Sequence, residues 1–180
     1  MSLIRLAYAS KRNQPFNSGA LAAFVQRAYD THARLGLTGV FAHSGFSCFH
    51  VIEGFAGDVV TAFEIFEGDL HHTEVSTVLN RPIARRSFGN WCLGVSAVPS
   101  DFGFEQRVDD DRSLADLGWG RASRLLVALE RGALSGSLVS AADLHSERGV
   151  NPVVYETVPL TAQHRATSHV KSENSAVSPA

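Results

Sequence analysis

Hydrophobic and polar positions alternate in the first segment of the chain, residues 3–9. A period of two residues is typical of a β-strand with one face turned towards a core. The inward face of this strand carries Ile4, Leu6 and Tyr8. From about residue 18 to residue 35 the apolar positions recur at steps of three and four, which predicts an amphipathic helix. His32 lies on the apolar, inward stripe of this helix.

Further strands and a second helix are predicted in the next part of the chain. Residues 37–54 form two apolar runs that meet at Ser44-Gly45, a signal for a hairpin turn. In the second run, Phe46, Cys48, His50 and Ile52 point to one side, and the intervening residues point to the other. An amphipathic helix is predicted over 56–70. Two more strands are predicted at 74–83 and 91–98.

The resulting order, β-α-β-β-α-β-β, fits a ferredoxin-like fold of the α+β class. In that architecture two helices pack on one face of an open sheet, which leaves the other face free. A third helix is predicted over 113–130, and a shorter helix is expected over 137–146. We expect these C-terminal helices to cover the free face of the sheet.

Composition divides the chain into four parts. The core domain is predicted to span 1–98, and an acidic linker follows over 99–112. The C-terminal helical extension is predicted over 113–150. Residues 151–180 are mostly small and polar, so we expect a largely disordered tail that buries too little apolar surface to offset its ordering entropy.

The charge balance argues against several classes of partner. The 180 residues include 16 Lys and Arg against 18 Asp and Glu, a net charge of −2, so electrostatic binding to nucleic acid or to a membrane surface is not expected. Two cysteines without a disulfide framework, and no apolar stretch of membrane-spanning length or signal peptide, predict a cytoplasmic protein. No catalytic motif is present, so an enzyme is not expected. The chain also contains eight histidines, which is an unusual number.

Four segments together resemble the BLUF family of blue-light sensors that use flavin. They read RLAYAS at 5–10, ARLGLTGVF at 33–41, FHVIEG at 49–54 and RPIARRSFGNWCLG at 81–94. Their order and spacing match the family over about 2–98. The resemblance implies FAD held without a covalent bond between the two helices, with its ring edge towards the sheet. In the family, light rearranges hydrogen bonds between a tyrosine, a glutamine and the flavin.

The resemblance also assigns site residues, and three of them differ from the family. Tyr8 matches the family tyrosine, the electron and proton donor to excited flavin. His50 stands in place of the glutamine, His32 in place of an asparagine that contacts the flavin ring, and His71 in place of an arginine at the ring's polar edge. An amide can exchange what it donates and accepts, whereas a neutral imidazole offers one donor and one acceptor. We therefore expect an abnormal photocycle or none.

Two aromatic residues complete the implied flavin site. Phe24 stands where the family commonly has a smaller aliphatic residue against the flavin plane, so its ring can fill part of the slot. Trp91 matches the semi-conserved tryptophan of the family.

The sequence leaves three interpretations open. In the first, the protein is a short blue-light sensor that binds FAD but has an altered or lost photocycle. In the second, it is a degenerate BLUF module that binds no flavin and acts as a light-independent interaction protein. In the third, His32, His50 and His71 bind a divalent metal. The expected partner is an unidentified regulatory protein, with a homo-oligomer as a further possibility, and not nucleic acid or a membrane.

Overall fold

The structure is a computed structural model that describes residues 2–14, 16–44, 47–70, 72–98, 119–135 and 139–142. The strands in these ranges are β1 (Leu3–Arg12), β2 (Thr38–Ser44), β3 (Ser47–Phe55), β4 (His72–Pro82), β5 (Gly94–Ala97) and β6 (Val139–Ser140). The helices in the same ranges are α1 (Ser18–Arg34), α2 (Ala56–Glu67) and α3 (Trp119–Ser135). No helix of this described part is long and apolar enough to cross a membrane.

The six strands form one sheet in the order β4-β1-β3-β2-β5-β6. Strands β2 and β5 run parallel, and the other neighbouring strands run antiparallel. The first five strands and the first two helices follow the predicted β-α-β-β-α-β-β order, so the ferredoxin-like α+β fold is confirmed. β1 and β3 are neighbouring interior strands, which places Tyr8 and His50 inside the sheet.

Each face of the sheet has its own apolar core. Helices α1 and α2 cover one face, where Phe24 and Val25 pack with strand residues such as Ile52. Helix α3 covers the other face, as expected. Its contact residues there are Ala122, Leu125, Leu126 and Leu129. The strand residues beneath include Ala7, Ala9 and Ala42, whose short side chains let the helix lie close to the sheet.

The ends of α1 follow the sequence signals. The Asn17 side chain accepts a hydrogen bond from the Ala20 backbone N–H at 2.8 Å, which caps the helix at its start. Gly36 follows the helix with φ of +61°, a backbone conformation that glycine adopts without strain. The turn then leads directly into β2, so the last turn of α1 is held against the central strands.

The predicted helix over 137–146 is wrong where the structure describes it. Residues Val139–Ser140 form β6, which pairs with Gly94 and Val95 of β5. The Ala141 backbone N–H also donates to the Leu93 carbonyl at 3.0 Å. The open edge of β5 offers unpaired backbone groups, and pairing with them outweighs a weak local helix preference.

The predicted linker over 99–112 and the predicted tail over 151–180 lie outside the described residues, as does the expected start of the third helix at 113. His71 lies outside them too. Strand β5 begins at Gly94, later than the predicted 91, because residues 83–93 form an irregular loop that crosses from β4 towards β5. This segment is called the β4–β5 loop below.

A buried ion-pair network ties α3 and the β4–β5 loop to the sheet. Arg5 Nε donates to the Glu53 carboxylate at 2.8 Å, and Arg5 Nη1 lies 2.9 Å from the Glu130 carboxylate on α3. Glu53 also accepts from the backbone N–H groups of Ser87 and Phe88 at 3.1 and 3.0 Å. Because Arg5 and Glu53 are almost fully buried, each needs the other to compensate its charge.

Candidate functional site

Tyr8 and His50 lie opposite each other in the centre of the sheet. They are Cα partners in the antiparallel pair of β1 and β3, so both side chains project from the face that α1 and α2 cover. The Tyr8 hydroxyl oxygen lies 3.1 Å from His50 Nδ1. Both side chains are 0% exposed, so this hydrogen bond is shielded from water.

His32 reaches the same place from the last turn of α1. Its Nε2 lies 3.1 Å from His50 Nε2, and its Nδ1 lies 2.8 Å from the backbone oxygen of Cys92 in the β4–β5 loop. Gly39 makes this approach possible, because a Cβ atom there would lie 3.1 Å from His32 Cε1 and 2.0 Å from the Val51 carbonyl oxygen. Helix α1, strands β2 and β3 and the β4–β5 loop therefore meet at the two imidazole rings.

The hydrogen-bond partners determine where each proton lies. The Cys92 carbonyl can only accept, so His32 Nδ1 carries a proton and a neutral His32 presents a lone pair at Nε2. His50 Nε2 then donates to His32, and a neutral His50 accepts at Nδ1. The Tyr8 hydroxyl is the donor to that nitrogen. The three side chains, called the Tyr8–His50–His32 triad below, thus form a directional chain that ends on a backbone carbonyl.

Burial keeps all three groups neutral. It lowers the pKa of His32 to about 4, although the hydrogen bond to the Cys92 carbonyl acts in the opposite direction. Burial, followed by repulsion from His32 and His72 in their protonated forms, holds the pKa of His50 well below its ordinary value. The pKa of Tyr8 is raised well above its ordinary value, again chiefly by burial. The proton positions derived from the hydrogen bonds and the direction of these shifts therefore agree.

Phe24 lies beside the triad and is only 2% exposed. Its ring centroid is 4.6 Å from that of Phe41 and 5.0 Å from that of His72. His72 in turn lies 2.7 Å from the Ser10 hydroxyl through its Nδ1. The ring of Phe24 therefore packs between α1 and the sheet.

Sequence reasoning did not single out three residues that complete the site. Phe41 and Phe66 both pack near the His50 ring, with ring centroids 5.8 and 4.9 Å from it. Phe41 lies on β2 directly opposite His50, so strand alternation could have identified it. Phe66 lies on the buried stripe of α2. Gly39 carries no signal of its own in the sequence, since its role depends on the path of the neighbouring strand.

The structure separates Trp91 from the other site residues. Its side chain packs with the apolar cluster under α3, on the far side of the sheet from Tyr8. Its backbone remains connected to the site region, because the Gly39 N–H donates to the Trp91 carbonyl at 3.2 Å. Tyr8, Phe24, His32 and His50 do come together, whereas the placement of His71 stays outside the described residues.

The described residues contain no group of three or more His, Cys, Asp or Glu side chains arranged to hold a metal ion. Of the three histidines considered as metal ligands, His32 and His50 lie within the described residues. Their four ring nitrogens are all engaged in the hydrogen bonds above. As folded, the triad is closed, neutral and internally satisfied. It offers no unpaired donor to a ligand.

Three of the solved structures that align with this chain illustrate its fold. BlsA in its ground state aligns with a TM-score of 0.59 at 21% identity, covering 71% of this chain and 87% of that one. The dark-state structure of BlrB, a BLUF protein, aligns with a TM-score of 0.56 at 23% identity, covering 76% and 98%. A bacterial light-regulated adenylyl cyclase aligns with a TM-score of 0.52 at 17% identity, covering 75% of this chain and 36% of that one.

No curated protein matches the sequence. The family model described as BLUF, sensors of blue-light using FAD, matches residues 3–94, which is just over half of the chain. The resemblance of the four segments and the arrangement of the sheet agree with this match. The chain belongs to the BLUF family.

Proposed function

We propose that this protein is a regulatory BLUF module that binds no flavin and acts, independently of light, through contacts with other proteins. The observation that carries the proposal is the direct hydrogen bond between His32 and His50, with 3.1 Å between their Nε2 atoms. By the family resemblance, both residues stand where polar side chains contact the flavin ring. Here they contact each other instead.

The polar groups of the triad do not fit a flavin ring. A ring edge that entered beside His32 and His50 would break their mutual hydrogen bond, and each such bond contributes about 0.5–1.5 kcal/mol. The Tyr8 proton and both histidine protons already have acceptors. A flavin would therefore have to replace satisfied hydrogen bonds rather than pair groups that lack partners.

The apolar part of the site also disfavours flavin. Phe24 and Phe41 are 2% and 0% exposed, and the distance between their ring centroids is 4.6 Å. A planar ligand between α1 and α2 would need Phe24 to leave this contact. Burying an aromatic side chain contributes about 1.5–3 kcal/mol relative to exposing it, so displacement is costly.

A BLUF module without flavin would act through contacts with other proteins. One structural neighbour, the light-regulated adenylyl cyclase, contains the matching region as about a third of its own chain. This supports a domain that serves as a regulatory unit for another protein. Without the family amide at position 50, the described site has no group that could exchange its donor and acceptor under light.

Absorption spectroscopy of the purified protein tests the proposal. We expect a colourless protein that takes up neither FAD nor FMN when either is added in excess. A protein that retains or takes up one flavin per chain would overturn it, and would favour the sensor with an altered photocycle. Illumination of that flavin-bound form would then show whether a spectral shift occurs.

A matched set of variants separates the two obstacles to flavin binding. His32→Asn, His50→Gln and His71→Arg together restore the family's polar contacts, and Phe24→Val removes the aromatic ring. We expect the variant that combines all four substitutions to bind flavin. The variant with Phe24→Val alone should remain colourless. If Phe24→Val alone binds flavin tightly, the histidine contact does not carry the effect that we assign to it.

A further inference from the structure

The described charges are divided between the two sides of the sheet. The side covered by α3 and the adjoining β4–β5 loop carry six arginines that make no ion pair within the described part of the chain. These residues, called the arginine face below, are Arg81, Arg85, Arg86, Arg121, Arg124 and Arg131. Three carboxylates are described on that side: Glu53 and Glu130 are both engaged by Arg5, and Glu74 pairs with Lys11. Among the residues that the structure describes, the face therefore has a net positive charge.

Helical periodicity places the α3 members of this face on one exposed stripe. Arg121, Arg124 and Arg131 recur at steps of three and seven, and all three are exposed. The opposite stripe of α3, which includes Leu125 and Leu129, packs on the sheet. The stripe of arginines thus faces solvent along the length of the helix.

The remaining arginines of the face adjoin the same helix. Arg81 is the Cα partner of Arg5, so its side chain projects on the α3 side of the sheet. Arg86 precedes Ser87, whose hydroxyl contacts Arg5. Arg5 in turn reaches Glu130 of α3, so the end of β4, the β4–β5 loop and α3 form one continuous basic surface.

The opposite side of the molecule has the complementary charge. Helices α1 and α2 and the turn that follows α2 carry five carboxylates, called the carboxylate face below: Asp30, Asp58, Glu64, Glu67 and Asp69. The arginines described there are Arg27 and Arg34, and Arg27 pairs with Asp69 at 3.0 Å. Glu64 and Glu67 are exposed on the solvent side of α2.

Each face also exposes apolar side chains among its charges. Val127 lies between Arg124 and Arg131 on α3 and is 43% exposed. Val60 and Ile65 lie next to the α2 glutamates and are 44% and 45% exposed. Apolar groups ringed by charges are typical of contact surfaces, where a small apolar centre has a polar rim.

We propose that the arginine face of one copy of this protein binds the carboxylate face of a second copy. The two surfaces match in charge sign and in their exposed apolar residues. A two-fold contact of the arginine face with itself would place like charges opposite each other, so the complementary contact is head-to-tail. Such a contact leaves one face free at each end and can grow into a ring or a chain of copies.

This inference extends the proposed function by naming a partner, but it uses surfaces away from the triad. Its test measures association and not colour, so its failure is distinguishable from a failure of the flavin-free proposal. Sedimentation velocity of the wild-type protein over a concentration series is the first measurement. We expect concentration-dependent association at low salt that weakens as salt is added, since exposed charges are screened.

Charge reversal on each face provides the sharper experiment. Arg124→Glu with Arg131→Glu, and separately Glu64→Arg with Glu67→Arg, should each weaken self-association at least about tenfold because like charges then face each other. An equimolar mixture of the two reversed proteins should associate again, since each then supplies a surface complementary to the other. The control Arg34→Glu makes the same kind of charge change on α1 and should not weaken association.

Several results would overturn the inference. One is a protein that stays monomeric at every salt and protein concentration, and another is association that survives both reversals. Two reversed proteins that remain folded by circular dichroism yet fail to associate when mixed would also contradict it. A short DNA duplex that binds the arginine face at physiological salt, in a protein that does not self-associate, would assign that face to a different partner.

Discussion

The buried, neutral histidines of the triad should make the folded protein sensitive to acid. A histidine that is neutral in the fold but free to take up a proton when unfolded stabilises the unfolded state as the pH falls. The pKa of His32 is about 4 in the fold and 6.5 in its ordinary state. Its contribution to stability is therefore fully present above about pH 6.5 and is lost progressively as the pH falls towards 4.

The size of the effect follows from the two pKa values. With about 1.4 kcal/mol for each unit of pKa difference, His32 alone should cost about 2 kcal/mol of unfolding free energy between about pH 7.5 and pH 5, and about 3 kcal/mol near pH 4. His50, whose pKa is also lowered by burial, adds to the loss in the same direction. A change of this size is a large part of the stability of a typical domain.

Urea denaturation at about pH 7.5 and pH 5 measures the effect, and a His32→Gln variant isolates it. Gln at position 32 does not titrate, so the difference in unfolding free energy between the two pH values should shrink by about 2 kcal/mol relative to wild type. Titrating groups that His32 does not contact, such as His43 with its pKa lowered to about 4, cancel in this comparison. Burial, the largest cause of the lowered pKa of His50, is retained in the variant. An equal pH dependence in wild type and variant would refute the assignment of a buried, neutral His32.

Two further predictions concern single contacts. Tyr8→Phe removes the donor to His50 Nδ1 and leaves a buried acceptor unpaired, so we expect a loss of about 1–3 kcal/mol in urea denaturation, and a loss near zero would contradict the proton positions given above. Glu53→Gln leaves Arg5 without its fully buried counter-ion and should cost about 3–5 kcal/mol, whereas Glu130→Gln, at a partly exposed carboxylate, should cost no more than about 1 kcal/mol. Similar losses in the two glutamate variants would show that burial does not set their difference.

Much of the fold was predictable because its elements carry clear periodic patterns. The alternation in β1 and the apolar stripes of α1 and α2 determine which side chains face the core, and the family resemblance assigns Tyr8 and His50 to the same site. The short strand β6 was missed because its pairing depends on the open edge of β5, a feature of the tertiary structure. Two residues of β-structure leave almost no periodic signal in a sequence.

The closed state of the site was less predictable, since it depends on how α1 meets the sheet. The sequence places His32 on an inward stripe and His50 on one face of a strand, but it does not predict the 3.1 Å contact between their rings. That contact requires Gly39, where a side chain would collide with the Val51 carbonyl. The Arg5–Glu53 pair was hidden for a similar reason, because a charged residue on a strand is ordinarily expected to face solvent until a helix covers it.

The family resemblance and the structure together explain why histidine replaces the family residue at both position 32 and position 50. In a flavin-free protein, the family's glutamine and asparagine would be buried polar groups without their ligand, at a cost of about 1–3 kcal/mol for each unpaired group. Two imidazoles satisfy each other and the neighbouring tyrosine and carbonyl, which removes that cost. Changing only one of them would recreate an unpaired group, so His32 and His50 are energetically coupled and are best understood as one compensated exchange.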